Sequence, residues 1–245
     1  MTALSVQLYS LRESVTPETA DAILDQLIDA GASAIEGFAP DRYADWLPEV
    51  LRKHGIASPS MHARIVDNDD LDALFAICKD FGTETIFQPH YAASTFASTE
   101  QIDALAAKLN ALVPIAAAAG FRIGYHNHDF EFAHDLEGVN SYDYFVSKLD
   151  EGVLLEVDTF WAELGGADVV ALLQRLGDRV THLHIKDGRL DARAPNVVVG
   201  AGELDVDSIL EAGKDTVWVI EFDSCATDVV AATADSLRYV AGQRA

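Results

Sequence analysis

Two histidines in one short segment are the first residues of this chain whose types and spacing suggest chemistry. The segment FRIGYHNHDFEF (121–132) places His126 and His128 two positions apart at the end of a strand-like run. Residues i and i+2 of a strand point to the same face, so we expect the two imidazoles to lie side by side. A hydrophobic core gains little from adjacent imidazoles, because buried polar atoms need hydrogen-bond partners. The spacing therefore favours a functional site.

Polar residues end the other strand-like segments as well. In chain order they are Gln7, Glu36, His62, Gln88, His90, Asp158, His182, His184, Lys186, Glu221 and Asp223. Each of these residues has an ordinary structural explanation. The same holds for Glu156, two positions before Asp158, which would be explained as a buried carboxylate paired with Lys186. Surface solvation does not explain why such residues recur at the ends of apolar segments. Imidazole and carboxylate groups together suit Mn, Co, Zn, Fe or Mg.

A repeated pattern of helices and strands must position these residues. Glycines stand directly after a helical pattern and before a strand-like run at four places: Gly31, Gly55, Gly82 and Gly120. Glycine at that position takes the left-handed conformation at no steric cost, so it is typical of a helix end. A further helical pattern begins at Ser98 and contains Pro114, which predicts a kink or an early end there.

Eight strand-like segments, each followed by a helix-compatible segment, divide the 245 residues evenly. This pattern predicts a single α/β domain over residues 1–245, a (β/α)8 TIM barrel, and disfavours a doubly wound open sheet. Active sites of such barrels lie at the C-terminal ends of the strands, where the polar residues fall. The best-placed metal ligands end the fifth to eighth strands: His126, Asp158, His184 and Glu221.

The chain also resembles a known family at these places. The segments YHNHDFEF, LLEVDTFW, HLHIKDG followed by VGAGELD, and WVIEFD, with SVQLYSLR and SMHA before them, are similar to the sugar phosphate isomerase/epimerase group of the xylose isomerase-like TIM barrels. The similarity covers essentially the whole chain, and relatives include ketose 3-epimerases, inosose dehydratase and, more distantly, endonuclease IV. The resemblance implies one divalent metal ion, most often Mn, held by His126, Asp158, His184 and Glu221.

His126 departs from the pattern of that family. Many relatives carry glutamate at this position, and in the epimerases that glutamate and the eighth-strand one, here Glu221, handle the proton on opposite faces of the substrate. We expect the metal site to survive the exchange, whereas the symmetrical pair of carboxylates is lost. His126 is therefore interpreted as a ligand, and His128 as a substrate contact or an outer partner of the site.

The chemistry expected of such a site is proton transfer beside a carbonyl group. A bound metal polarises the carbonyl, and a carboxylate or histidine removes the neighbouring proton to give an enediolate. Return of the proton isomerises or epimerises a keto-sugar, whereas loss of a β-substituent makes the same site a lyase or dehydratase acting on a keto-sugar or 3-keto-glycoside. The predicted catalytic residues are Glu221, His128, Glu131 and Lys186, of which Lys186 is expected to stabilise the developing oxyanion.

Substrate contacts are predicted around the same rim. They are Gln7, Glu36, Phe38, His62, Gln88 and Trp161. Phe38 and Trp161 are expected to form an apolar wall for a sugar ring. Arginines in the rim loops offer a phosphate site, but the acidity of the chain favours a neutral sugar.

The charge of the chain restricts its partners. Lys and Arg total 17 against 40 Asp and Glu, a formal net charge of −23. Nucleic-acid binding needs a basic face, so neither nucleic acid nor an anionic membrane is an expected partner. An endonuclease IV-like hydrolase is disfavoured on this ground, and the four ligand types disfavour a catalytically silent sugar-binding barrel. The choice between monomer and homo-oligomer stays open.

The cysteines and apolar segments predict a cytoplasmic protein. Cys78 and Cys225 are far apart in the chain, which favours a reducing compartment over a disulfide framework. The N-terminal residues lack the pattern of a signal peptide. No apolar stretch is expected to reach the roughly 18–20 residues that a membrane span needs.

Overall fold

Eight parallel strands close into a barrel in the computed structural model, which describes residues 3–243. The barrel strands are β1 (Leu4–Gln7), β2 (Ala34–Phe38), β3 (Ala57–His62), β4 (Thr85–Gln88), β5 (Arg122–His126), β8 (Val153–Asp158), β9 (Val180–Ile185) and β12 (Val217–Ile220). Two short antiparallel pairs lie outside it, β6 (Asp135–Leu136) with β7 (Val139–Asn140) and β10 (Asp187–Gly188) with β11 (Asn196–Val197). The predicted (β/α)8 barrel is confirmed.

Helices surround the barrel and bury their apolar faces against it. They are α1 (Ala20–Asp29), α2 (Pro40–Tyr43), α3 (Leu47–His54), α4 (Leu71–Asp80), α5 (Thr99–Ala119), α6 (Ser141–Lys148), α7 (Thr159–Leu164), α8 (Val169–Leu176), α9 (Val206–Ala212) and α10 (Val229–Gly242). In α1, Ile23, Leu24 and Leu27 recur at helical spacing and are buried. Burial of each such side chain contributes about 1.5–3 kcal/mol, so the helical layer supplies much of the stability that holds the barrel mouth in shape.

The glycine pattern marks turns between helices and strands, as the sequence predicts. Gly55 and Gly120 are the C-cap residues of α3 and α5, with φ angles of 65° and 91°. Gly31 and Gly82 follow α1 and α4 with φ angles of 110° and 73°. Side chains with a Cβ atom rarely adopt these angles, so glycine is the residue that lets each helix turn directly into the next strand.

Helix α5 differs from two expectations. It continues through Pro114 to Ala119, so of the two effects predicted for the proline the early end is wrong, and the kink stays a prediction. It is also 21 residues long with a mean hydropathy of 1.5, which by length and composition is enough to cross a membrane, contrary to the expectation that no segment would be. Core helices of soluble proteins meet the same criterion, and Ile102, Leu105 and Leu109 on its inner face are buried, although only 28% of its most apolar 18-residue window is. The helix is therefore weak evidence for a membrane span.

Candidate active site

The four predicted metal ligands come together at the C-terminal mouth of the barrel. His126 ends β5, Asp158 ends β8, His184 lies near the end of β9, and Glu221 directly follows β12. One side-chain ligand atom from each lies within 4.8 Å of the others, and all four residues are buried. Parallel strands deliver their ends to one rim, and this is why residues so far apart in the chain share one point.

Each imidazole of the set has one nitrogen toward the mouth and one toward the barrel interior. His184 Nδ1 lies 2.6 Å from Glu221 Oε2, and its Nε2 lies 2.6 Å from Glu36 Oε1. His126 Nε2 lies 3.9 Å from Asp158 Oδ2, and its Nδ1 lies 3.1 Å from Glu156 Oε2. The rings of His126 and His184 pack with their centroids 4.5 Å apart. The outer nitrogens therefore face the carboxylates of the predicted ligand set, and the inner ones face two further carboxylates.

Lys186 joins the two carboxylates of the set. Its Nζ lies 2.9 Å from Asp158 Oδ2, 2.7 Å from Glu221 Oε2 and 2.7 Å from Asp223 Oδ2. The residue is 1 % exposed, and the Trp161 ring lies 5.5 Å from Nζ. A buried ammonium group held by three carboxylates is a strong electrostatic feature of the mouth.

Burial and charge shift the pKa values of these groups in different directions. Burial raises the pKa of Asp158 to about 6, against the lowering effect of Lys186. Burial favours the neutral imidazole of His184, but Glu156, Glu221 and Glu36 outweigh it and raise its pKa well above the usual range. Burial lowers the pKa of His126 to about 3, with a further contribution from His184. His126 is therefore neutral at physiological pH, which is the form that binds a metal.

The donor set suits a divalent cation. Four fully or almost fully buried carboxylates, Glu36, Glu156, Asp158 and Glu221, surround the imidazoles, whereas Lys186 is the only lysine among the buried residues that the structure describes. Within the same described residues, Glu36 Oε2 and Glu156 Oε1 have no hydrogen-bond partner. Buried carboxylates require pairing or a metal ion, and nitrogen and oxygen donors match the first-row divalent metals. The residues present fit such an ion.

Glu156 has different partners from the one expected. Its Oε2 atom accepts from the Nε2 atom of His62 and lies near His126 Nδ1 and His184 Nε2, whereas Lys186 pairs with Asp158, Glu221 and Asp223. The expected Glu156–Lys186 pair is therefore wrong. Glu156 stands two residues before Asp158 on the same face of β8, which places it one layer deeper in the barrel than the lysine reaches.

Asn127, between the two histidines, has a role that the sequence did not reveal. Its Oδ1 accepts from the backbone N–H of Asp158 at 3.0 Å, and its Nδ2 donates to the Asp158 carbonyl at 3.2 Å. Asp158 Oδ1 in turn accepts from Trp161 N at 2.9 Å and caps α7. These bonds fix the end of β8 against the loop after β5, so Asp158 presents its other oxygen to the mouth.

His128 and Glu131 both follow β5 in the chain. Strand β5 ends at His126, so His128 stands beyond it, and the two rings lie 5.2 Å apart at an interplanar angle of 85°. Burial lowers the pKa of His128 to about 2, and its Nδ1 has no hydrogen-bond partner among the described residues. Glu131 Oε2 accepts from His128 N at 2.8 Å and its Oε1 accepts from Tyr125 Oη at 2.8 Å. The structure thus brings the His128 ring to the ligand set and places the Glu131 carboxylate against the loop backbone.

Two of the predicted substrate contacts bond mainly to the protein. Gln88 Oε1 accepts from the backbone N–H groups of Ile65 and Val66, both at 3.0 Å, and Nε2 donates to the His90 carbonyl. Gln7 Nε2 donates to Glu36 Oε1 at 2.9 Å, and its Oε1 caps the 3-10 turn at Leu8–Leu11. Their amides hold the rim loops and the Glu36 carboxylate in place.

Phe38 and His62 line a cleft beside the ligand set. Its volume is 440 Å³, and Tyr9, Pro40 and Leu74 provide further apolar lining. The rings of Tyr9 and Phe38 pack edge to face at 5.4 Å. Clefts of this size and character are typical of small-molecule sites. A separate cavity of 490 Å³ at the opposite end of the barrel contains His182 and none of the ligand set.

Comparison with known proteins identifies the family of this barrel. Residues 5–238 match the model of the xylose isomerase-like TIM barrel. The chain belongs to this family. Within the xylose isomerase-like barrels, an inosose dehydratase from Klebsiella pneumoniae is 32% identical over 95 residues, which are 38% of this chain and 31% of that protein. The matched part therefore spans about a third of the curated relative.

Solved structures extend the comparison to the whole barrel. A sugar phosphate isomerase/epimerase from Parabacteroides distasonis superposes with a TM-score of 0.80 at 21% identity, over 98% of this chain and 97% of that one. An IolI protein with a bound zinc atom superposes with a TM-score of 0.72 at 20% identity, over 98% and 95%. Likeness at these identities establishes the shared fold. Proteins of this fold thus include one named a sugar phosphate isomerase/epimerase, and the partial match in sequence is to an inosose dehydratase.

Proposed function

We propose that this protein is a divalent-metal-dependent sugar isomerase or epimerase that acts on a keto-sugar through an enediolate. The observation that carries the proposal is the convergence of His126, Asp158, His184 and Glu221 within 4.8 Å, with buried Lys186 against two of them. Two imidazoles and two carboxylates at a barrel mouth form a site with few other uses than metal binding.

The ligand residues are proposed to be His126, Asp158, His184 and Glu221. They would hold a divalent ion there, and the chemistry it would supply is Lewis-acid polarisation of the carbonyl group of the substrate. We propose Mn as the ion, while Zn, Co, Fe and Mg also match nitrogen and oxygen donors. The zinc atom in the IolI structure supports a metal in a barrel of this fold.

Proton transfer is assigned to the groups that face the mouth. The Glu221 carboxylate is 4 % exposed and serves as the base that takes the proton from the carbon beside the carbonyl. The His128 ring, with an unbonded nitrogen, contacts the substrate on the other side of the set. Lys186 stabilises the negative charge that develops on the substrate oxygen. Glu131 acts through the backbone of His128, since its two oxygens bond to His128 N and Tyr125 Oη.

A lyase or dehydratase reaction is the second candidate, and His126 is the observation that favours it. A histidine held by a carboxylate at Nδ1 does not reproduce a second carboxylate base opposite Glu221. One-sided proton removal followed by loss of a β-substituent needs only a single strong base. The partial match to inosose dehydratase supports the same reaction class.

The proposed substrate is a small neutral carbohydrate, and the proposed location is the cytoplasm. The formal charge of −23 opposes binding of nucleic acids and of anionic membranes. Cys78 and Cys225 are both free thiols, which suits a reducing compartment.

Proton exchange with solvent tests the proposal. A panel of keto-sugars and 3-keto-glycosides is incubated with the Mn-loaded protein in D2O and followed by NMR. An isomerase or epimerase introduces deuterium at one carbon beside the carbonyl, whereas a lyase also produces a new alkene signal. Chelator-treated protein is the control and should do neither. Equal exchange with and without metal contradicts the proposal.

A further inference from the structure

The carboxylate of Glu156 stands among three imidazoles beneath the proposed metal ligands. Its Oε2 accepts from His62 Nε2, lies 3.1 Å from His126 Nδ1 and lies 3.3 Å from His184 Nε2. The residue is 0 % exposed, and its partners come from three other barrel strands. A single buried oxygen therefore contacts both imidazoles of the proposed ligand set.

This contact selects one tautomer of His126. An ionised carboxylate only accepts hydrogen bonds, so the nitrogen that faces it must carry the hydrogen. For His126 that nitrogen is Nδ1, which leaves the lone pair on Nε2, the nitrogen turned to Asp158. Without Glu156 the nearest described carboxylate oxygen to the ring is Asp158 Oδ2, 3.9 Å from Nε2, which favours hydrogen on Nε2 instead.

His184 is oriented from below as well, by Glu156 and a second carboxylate, but its contacts select no tautomer because both of its nitrogens face carboxylates. Its Nε2 lies 2.6 Å from Glu36 Oε1 and 3.3 Å from Glu156 Oε2, which leaves Nδ1 toward Glu221. The His62 ring stacks on the His184 ring at 5.0 Å and an interplanar angle of 5°, so it also limits rotation of His184. Both ligand rings are thus held from below by the same layer of side chains.

We propose that Glu156 is a positioning residue that fixes the tautomer of His126 and the orientation of both imidazole ligands before the metal binds. The proposal rests on the proposed metal site and adds the residue that organises it. Carboxylates that bond to the nitrogen of a ligand histidine that does not bind the metal, here the inner nitrogen, raise metal affinity, and their loss typically costs about 10–100-fold.

A second metal ion is the rival use of the same residues. His62, His126, Glu156 and His184 also bring ligand atoms within 4.8 Å of one another. That use requires the inner nitrogens of His126 and His184, the same atoms that face Glu156 and Glu36. The two uses predict different numbers of ions per chain, so stoichiometry separates them.

Binding of Mn2+ to the purified protein, followed by electron paramagnetic resonance of the free ion, tests the proposal. We expect one ion per chain in the wild type and in Glu156→Gln, with the dissociation constant raised about 10–100-fold in the variant. Glu131→Gln is the matched control, because Glu131 is equally buried but contacts no ligand histidine, and its affinity should stay within twofold. An unchanged affinity in Glu156→Gln, or two ions in the wild type and one in the variant, overturns the proposal. A wild type that binds no ion refutes the proposed function instead.

Nitrogen-15 NMR of the metal-free protein provides a second measurement that does not depend on binding. His126 should appear as the tautomer with hydrogen on Nδ1 in the wild type and in Glu131→Gln. In Glu156→Gln the two tautomers should mix, because a neutral amide can accept from or donate to the ring. A single unchanged Nδ1–H tautomer in Glu156→Gln contradicts the positioning role even if the variant is less stable.

Discussion

Lys186 Nζ lies 2.9 Å from Asp158 Oδ2, and both groups are buried at the mouth of the barrel. A lysine at this position does two things for the proposed reaction. It neutralises part of the negative charge of the ligand carboxylates, and it stands beside the substrate oxygen on which charge develops. We therefore expect the stability of the protein and the proposed catalysis to be coupled at this residue.

Lys186→Met is expected to lower both the rate and the stability of the metal-free protein. The rate should fall about 10²–10⁴-fold, because oxyanion stabilisation and its contribution to proton transfer are lost. The free energy of unfolding should fall by about 3–5 kcal/mol, because three carboxylates lose their buried partner, and added Mn2+ should restore part of it. Urea denaturation with and without Mn2+ measures the change in the free energy of unfolding. Lys53→Met, at an exposed ion pair, should change stability by less than about 1 kcal/mol. Equal stability losses in the two variants would contradict the coupling.

His128→Ala is expected to keep the metal and lose activity. The ring stacks on Phe130 at 5.3 Å and leaves one nitrogen free for the substrate, so its loss should cost about 10²–10⁴-fold in rate if it transfers the proton. Metal content by elemental analysis should match the wild type. His134→Ala, at a histidine outside the site, is the control. Near-normal turnover of His128→Ala on the true substrate would assign the proton to Glu221 alone.

Glu131 gives the barrel a stability that depends on pH. Burial raises its pKa to about 8 from an ordinary value of 4.5, so between these values the folded protein binds a proton that the unfolded chain releases. The stability of the wild type is therefore full below about pH 4.5 and is lost as the pH rises through about 8. Its free energy of unfolding should fall by about 1 kcal/mol between pH 7 and 8 from this group alone.

Glu131→Gln removes that dependence, and the comparison isolates it. The phenols that face the carboxylate, Tyr125 and Tyr142, have raised pKa values and stay protonated in this range. The difference in unfolding free energy, variant minus wild type, should therefore increase from pH 7 to pH 9 in urea denaturation. Glu84→Gln, at a largely exposed carboxylate, should follow the wild type. Parallel curves for Glu131→Gln and wild type would show that Glu131 is ionised in the folded protein.

The barrel and its ligand set could be predicted because both depend on short-range patterns. Glycines after helices and polar residues at strand ends are visible in the sequence, and parallel strands bring such ends to one rim. The sequence does not mark where each strand ends. The strand-like runs at residues 152–161 and 4–11 continue past the observed strands, which end at Asp158 and Gln7 because those side chains cap the next helical turn.

The partners of Glu156 and Gln88 could not be predicted for a different reason. Glu156 bonds to His62, which is 94 residues away on β3, and that contact depends on how barrel closure places strands across the interior. Gln88 bonds to the backbone of the loop after β3, whose conformation leaves no pattern in the sequence. The alternation of side chains along a strand indicates which residues point inward but not which of them meet.

The metal content of two pairs of variants tests the central claim most directly. Asp158 and Asp168 both cap a helix through Oδ1, so Asp158→Ala and Asp168→Ala lose similar caps, worth about 1 kcal/mol each, but only Asp158 belongs to the proposed ligand set. Glu221→Ala and Glu211→Ala form the second pair, with Glu211 on the exposed surface. After loading with Mn2+ and removal of free ion, elemental analysis should find one metal per chain in the wild type, Asp168→Ala and Glu211→Ala, and almost none in Asp158→Ala and Glu221→Ala. Full occupancy in both site variants would contradict the metal site and the mechanism built on it.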